Sequence, residues 1–265
     1  MKRIACSFAL VLAALFVLGC TAPPYAPARS AVLADAPPGV TRGQDRFEGA
    51  HRTELVEQWW RPASPRAVLA LVHGLKDHGS RYAELASRLA VDQGVAVYAM
   101  DLRGHAHSEG VRVDVLDFDD YLTDLDAFVA RVRYHEPGAR VFVMGHSMGG
   151  AIVTRWLEKR KPDVAGAILS GAALKVDVSG VKLFGNRMIA AVSPDAAVFN
   201  LDLDDFSRDP KVVEAGKKDP LVWQDAGTAR LARELADAID DSEHHFGEIT
   251  APLLVMHGSA DKVTP

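Results

Sequence analysis

At 265 residues and 48% hydrophobic, the chain is long enough for one large α/β domain with a filled core. Its 35 acidic and 30 basic residues give a formal charge of −5 and no long basic run, which argues against a nucleic-acid groove. It has no P-loop or dinucleotide fingerprint, so no cofactor is expected.

Lys2 and Arg3 precede an apolar stretch, residues 4–18, in which Ser7 is the only strongly polar side chain. Such a stretch suits a secretory signal and is short for a membrane span. Val17-Leu18-Gly19-Cys20 resembles the bacterial lipobox, with valine where leucine is preferred. Residues 1–19 are therefore expected to be removed and Cys20 to carry a lipid. Cys6 would leave with the signal, and the mature chain would have no second cysteine for a disulfide. The expected location is the bacterial cell envelope, anchored to a membrane and facing the periplasm or exterior. Residues 20–45 carry prolines at 23, 24, 27, 37 and 38 and show no periodicity, so they read as a disordered tether. The folded domain is expected from residue 46 onward.

Residues 47–61 are rich in β-formers and end at Pro62, which suits one or two opening strands. Compact apolar runs follow at 68–72, 95–100, 141–144, 167–169 and 253–256. Separated by helical patterns at 80–92 and 117–135, they predict parallel strands buried on both faces of a doubly wound sheet. Asp117 suits a helix N-cap and Pro137-Gly138 a helix stop. The long interval between the fourth and fifth runs reads as a cap inserted at about 172–246. Within it, Val181, Phe184, Met188 and Val192 fall on one helical face beside Lys182 and Arg187. That face suits either packing on the domain or a lid turned toward lipid.

Gly145-His146-Ser147-Met148-Gly149 stands between the run at 141–144 and a helical pattern, the context in which G-x-S-x-G carries chemistry. The sharp turn raises Ser147 Oγ at the strand end as a candidate nucleophile. It leaves the Met148 N–H at a helix N-terminus, where an oxyanion is favoured. The candidate acid is Asp261, in His257-Gly258-Ser259-Ala260-Asp261 directly after the last strand. Leu75, in the His73-Gly74-Leu75 loop, is the candidate for the second oxyanion N–H. His73 and His78 are expected to shape that loop by hydrogen bonding. A base remains to be found. No histidine follows Asp261 in this sequence, His257 leads into the acid loop, and His244 and His245 belong to the cap's exit. The chain therefore reads as a C-terminally truncated hydrolase, nearly inactive as written. His105-Ala106-His107 and His244-His245 lack metal-ligand companions, so no metal is expected. Asp202, Asp204 and Asp205 lack the remainder of a calcium loop and read as a solvated face.

Several segments, in order, resemble the monoacylglycerol lipase and lysophospholipase group of serine α/β-hydrolases. Residues 73–82, HGLKDHGSRY, resemble that family's HGxxEHxxRY loop, with Asp77 where glutamate is usual. Residues 101–110, DLRGHAHSEG, are similar to its D-x-x-GHGxSEG turn, with Ala106 replacing a glycine. Residues 145–150 match GHSMGG, residues 207–210 and 219–221 resemble cap segments of bacterial members, and residues 257–261 resemble the HGxxD acid loop. The resemblance spans about residues 45–265 and implies the α/β-hydrolase fold, with its last strand and helices missing from this sequence. It implies Ser147 as nucleophile, Asp261 as acid, and Leu75 and Met148 as oxyanion donors. It also implies ester substrates with one long acyl chain, reached beneath the cap, and it offers no counterpart here for the family's histidine. Two rivals stand beside that expectation. One is an aminopeptidase or amidase on the same scaffold, which would want an acidic cap site for a peptide amine. The other is a lipid- or acyl-binding lipoprotein that has lost catalysis. Haloalkane chemistry is disfavoured because it needs a carboxylate where Ser147 stands.

Overall fold

The computed structural model describes residues 36–175 and 180–264. The expected signal segment, Cys20 and most of the expected tether lie outside the described residues. So does the 180–184 side-chain environment, which includes Val181 and Phe184 of the expected cap face.

A seven-stranded sheet runs in the order β1-β2-β4-β3-β5-β6-β9. Its strands are β1 (Val40–Glu48), β2 (Glu54–Pro62), β3 (Ala67–Val72), β4 (Val95–Asp101), β5 (Val141–His146), β6 (Gly166–Ser170) and β9 (Leu253–Met256). β1, β2 and β4 pair antiparallel and the remaining pairings are parallel. Because side chains alternate across a strand, β3 sends Val68, Ala70 and Val72 to one face and Leu69 and Leu71 to the other. The first set packs with α2 (Asp119–His135) and α3 (Met148–Arg160), and the second with Ala86 and Ala90 of α1 (Ala83–Gln93). Helices thus cover both faces, as a sheet of continuous apolar strands requires.

The helix starts and stops follow local chemistry. Gly94 ends α1 in the left-handed conformation at φ +60°, where a side chain would be strained. Asp117 Oδ1 accepts the N–H of Asp119 at 2.9 Å, meeting one of the unpaired donors of α2.

Three expectations need correction. The folded domain begins before residue 46, since β1 starts at Val40 inside the expected tether. Residues 40–48 pair in continuous register with β2, and Phe47 stacks on Phe128 of α2 at 5.9 Å. Backbone pairing orders this segment even though its side chains are mostly polar. The cap is also shorter than expected at its C-terminal side. It holds α4 (Gly180–Val192), the small antiparallel pair β7 (Ala197–Phe199) and β8 (Gly227–Thr228), and α5 (Pro210–Lys218). The next helix, α6 (Ala229–Glu243), buries Leu231, Leu235 and Ile239 in the same core as Ile152 and Trp156 of α3. Ser242 Oγ donates to Glu158 Oε2 at 2.9 Å, fastening α6 to the domain. Finally, β9 is not buried on both faces: its four residues are 43–55% exposed, because among the described residues β6 is its only neighbour in the sheet. No helix among the described residues is long and apolar enough to cross a membrane.

Candidate active site

β5 delivers the chain to Ser147 at φ 51° and ψ −121°, a conformation that side-chain-bearing residues rarely adopt. The surroundings fix it. Ser147 N–H donates to Ser170 O at 3.1 Å, and Ser147 C=O accepts from Gly150, Ala151 and Ala173 N–H groups at 2.9, 3.2 and 3.1 Å. The glycines around it are there for space. A Cβ on Gly145 would lie 2.3 Å from Gly149 O, and one on Gly149 would lie 2.4 Å from the carbonyl oxygens of Val72 and His73. Gly150 faces Ala172, whose Cβ would stand 2.3 Å from an added methyl. β5, β3 and the segment after β6 therefore meet closely at the serine.

Met148 is the first residue of α3, so its N–H has no partner within the helix. Gly74 comes against the serine from β3, since a Cβ there would be 3.0 Å from Ser147 Cβ, and Leu75 follows it, buried. Asp261 sits in a tight turn after β9. Its Oδ1 accepts N–H bonds from Val263 and Thr264, both at 2.9 Å. Partial burial alone would raise its pKa, but the Thr264 and Val263 N–H donors and nearby His257 outweigh burial and hold it below the usual carboxylate value. Ser147 and Asp261 line one pocket of about 570 Å³, together with His146, Gly171, the cap residues 204–208 and residues 258–264.

The histidines in and around the site have their own hydrogen-bond partners. His146 Nδ1 bonds Ser170 O at 2.9 Å. His257 Nε2 bonds Thr264 O and stands 3.6 Å from Asp261 Oδ2, and it does not line the pocket. His73 Nε2 accepts the Leu102 N–H at 2.9 Å, so its proton is on Nδ1, which donates to Gly74 O at 2.7 Å. Burial, aided by neighbouring His105, pushes the His73 pKa down to about 3 and keeps the ring neutral. His78 Nε2 meets Asp219 Oδ2 of the cap at 3.0 Å. The two loop histidines thus shape their loop by hydrogen bonding, as their position after β3 suggested.

Asp101, at the end of β4 and at the head of the D-x-x-GHGxSEG-like turn, is a structural hub, a role the sequence did not specify. Its Oδ1 accepts the Gly79 N–H at 2.8 Å, and its Oδ2 faces the His107 N–H and Nδ1 at 3.2 and 3.1 Å. Although burial opposes ionisation, these donors hold its pKa below the usual value. His105 and His107 are thereby accounted for as loop-building groups: His105 Nδ1 bonds Arg103 O at 2.9 Å. Ala106 has φ +39°, the left-handed region in which a glycine would be at ease. Asp202, Asp204 and Asp205 are exposed, as expected of a solvated face; Asp204 and Asp205 also line the pocket, and Asp204 binds Lys217 Nζ at 2.5 Å.

A family model described as "Serine aminopeptidase, S33" matches residues 63–265. A monoacylglycerol lipase of Mycolicibacterium smegmatis is 36% identical over 228 residues, covering 85% of this chain and 81% of the relative. The chain belongs to the monoacylglycerol lipase-like α/β-hydrolase family. The human monoglyceride lipase is 30% identical over 210 residues, 78% of this chain and 69% of that protein. The crystal structure of the Paleococcus ferrophilus monoacylglycerol lipase superposes with a TM-score of 0.68 at 27% identity, over 85% of this chain and 80% of that one. The sheet order, the cap and the turn at Ser147 are those of the α/β-hydrolase fold, and the family is one of serine esterases.

Proposed function

We propose that this member hydrolyses carboxylic esters of monoacylglycerol or lysophospholipid type through an acyl-enzyme on Ser147. The observation that carries the reading is the left-handed Ser147 at the β5–α3 turn, lining one pocket with an aspartate held ionised by its own loop. Ser147 Oγ attacks the ester carbonyl as its proton passes to a base, the N–H groups of Leu75 and Met148 receive the oxyanion, and collapse of that intermediate breaks the ester C–O bond and expels the reprotonated alcohol. Water then releases the fatty acid. Asp261 is the carboxylate that orients a base; of the nearby histidines, His73 spends both ring nitrogens on backbone groups, while His146 bonds Ser170 O through Nδ1 and His257 bonds Thr264 O through Nε2. The same reading places Cys20 as a lipid anchor in the bacterial envelope, with the acyl chain arriving from the membrane beneath the cap. Support for that approach comes from α4, where Met188, Ile189 and Val192 are exposed beside Arg187.

A second reading, an amidase acting on a peptide amine, draws on Asp204 and Asp205 in the pocket wall. Release of fatty acid from monooleoylglycerol and from lysophosphatidylcholine, compared with cleavage of an aminoacyl anilide, tests both. Ester cleavage lost in Ser147→Ala supports the proposal. Anilide cleavage alone would replace it with the second reading. Acyl-ligand binding with no Ser147-dependent cleavage of either would leave a lipid-binding lipoprotein.

A further inference from the structure

Lys76 is a buried cation that no sequence motif explains. It follows Leu75, has φ +64°, and is only 1% exposed. Its ammonium donates to Asn200 Oδ1 at 2.9 Å and to Leu201 O at 3.3 Å, both in the cap. Its backbone carbonyl accepts the Trp223 N–H at 3.0 Å, again from the cap. The lysine is therefore gripped at both ends by the same insertion. Two residues on, His78 adds the contact to Asp219 of the cap.

On the other side of Leu75 the loop is held by the core. His73 is bonded to Leu102, and Gly74 packs against Ser147. Leu75 thus lies between a segment fixed by the sheet and a segment fixed by the cap. Both hydrogen-bond partners of the Lys76 ammonium are uncharged oxygens, with Asp202 and Asp225 offering attraction from farther away. A buried ammonium so held is well satisfied only while the cap is seated, because losing Asn200 and Leu201 would leave it desolvated and unpaired.

We propose that Lys76 is a positioning residue that couples seating of the cap to the orientation of the Leu75 N–H toward Ser147. The inference rests on the reading of Leu75 as an oxyanion donor. It makes the oxyanion site a property of the closed cap, and it assigns to Asn200 and Leu201, 124 and 125 residues distant in sequence, a share in building it.

The test uses the full chain with Lys76→Met, which keeps length and apolar bulk, and Asn200→Leu, which removes the acceptor from the cap side. Hydrogen exchange at residues 74–77 should quicken by about tenfold in both variants, and the double variant should be no faster than either alone. The functional arm compares two ligands. A long-chain alkylboronic acid accepts Ser147 Oγ on boron, the hydroxyl proton passing to solvent, and so needs the oxyanion donors. An ether analogue of monoacylglycerol fills the acyl site without them. Boronate affinity should fall about tenfold while ether affinity holds, and Lys76→Arg should recover part of the loss. Unchanged exchange in both variants overturns the coupling. So does an equal weakening of boronate and ether, which would mark a general loss of structure. If the wild-type chain forms no boron adduct at Ser147, the hydrolase reading fails, and the exchange measurement still decides whether Lys76 holds the loop.

Discussion

Acidification from pH 7 to pH 5 should cost this fold about 4 kcal/mol through two histidines alone. Burial pushes His73 down to about 3, with His105 adding repulsion, and burial pushes His105 down to about 4. In the unfolded chain both rings recover the ordinary value near 6.5. Between those values the unfolded state binds protons that the folded state refuses. The stability is fully present above the unfolded value and drains away as pH falls toward the folded one. Over this interval each ring loses about 2 kcal/mol, against a typical domain total of about 5–15 kcal/mol. The buried carboxyls Asp77, Asp124 and Glu158, raised chiefly by desolvation, act in the opposite direction. A variant isolates the histidine effect. His105→Asn retains a donor at the Nδ1 position for Arg103 O and has nothing to titrate, so its loss between the two pH values should be smaller by about 2 kcal/mol. Urea unfolding followed by circular dichroism measures both proteins at both pH values. Equal losses for wild type and variant would refute the claim that the fold keeps this ring neutral.

Other expectations follow from close contacts and buried charge. Gly149→Ala should destabilise the domain by about 3 kcal/mol or more, since the methyl meets two backbone oxygens that cannot rotate away; a thermal melt within a few degrees of wild type would contradict this. Arg103 binds Asp124 at 2.6 and 2.7 Å and Asp120 at 3.0 Å in the interior. Arg103→Met leaves buried Asp124 with only the Ala50 N–H and Asp120 with only His51, and should cost about 3–5 kcal/mol by urea unfolding. Val192, 83% exposed on α4, should accept glutamate with about 0.5 kcal/mol change in stability or less. The same change should weaken sedimentation with anionic vesicles if α4 faces lipid, and unchanged sedimentation would turn that face back to a solvated surface.

The strands that the sequence marked most clearly are those whose apolar runs are continuous. Residues 68–72 and 95–100 lie within β3 and β4, because a strand covered on both faces has no polar side to interrupt the run. β1 left no such mark: Thr41, Arg42, Gln44 and Asp45 are ordered by backbone pairing with β2, which their side chains do not announce. The spacing of Leu231, Leu235 and Ile239 marks a buried helical stripe without naming its partner, so α6 reads as cap from sequence and packs on α3 in space. β9 shows the converse, since four apolar residues say nothing of whether neighbours cover them. Of the residues lining the pocket, Ser147 and Asp261 are legible in the sequence because their turns demand glycine or a strand end at fixed spacing. Lys76 was not visible, since its partners are remote in sequence and are joined to it only by the closed cap.

Intact-mass analysis after treatment with a long-chain alkyl fluorophosphonate tests the central claim most directly. The serine oxygen displaces fluoride at phosphorus, and added imidazole can take the hydroxyl proton beside Asp261. The account predicts one adduct on the wild-type chain, mapped to Ser147, and none on Ser147→Ala. No adduct under either condition, or equal labelling of the alanine variant, would contradict it.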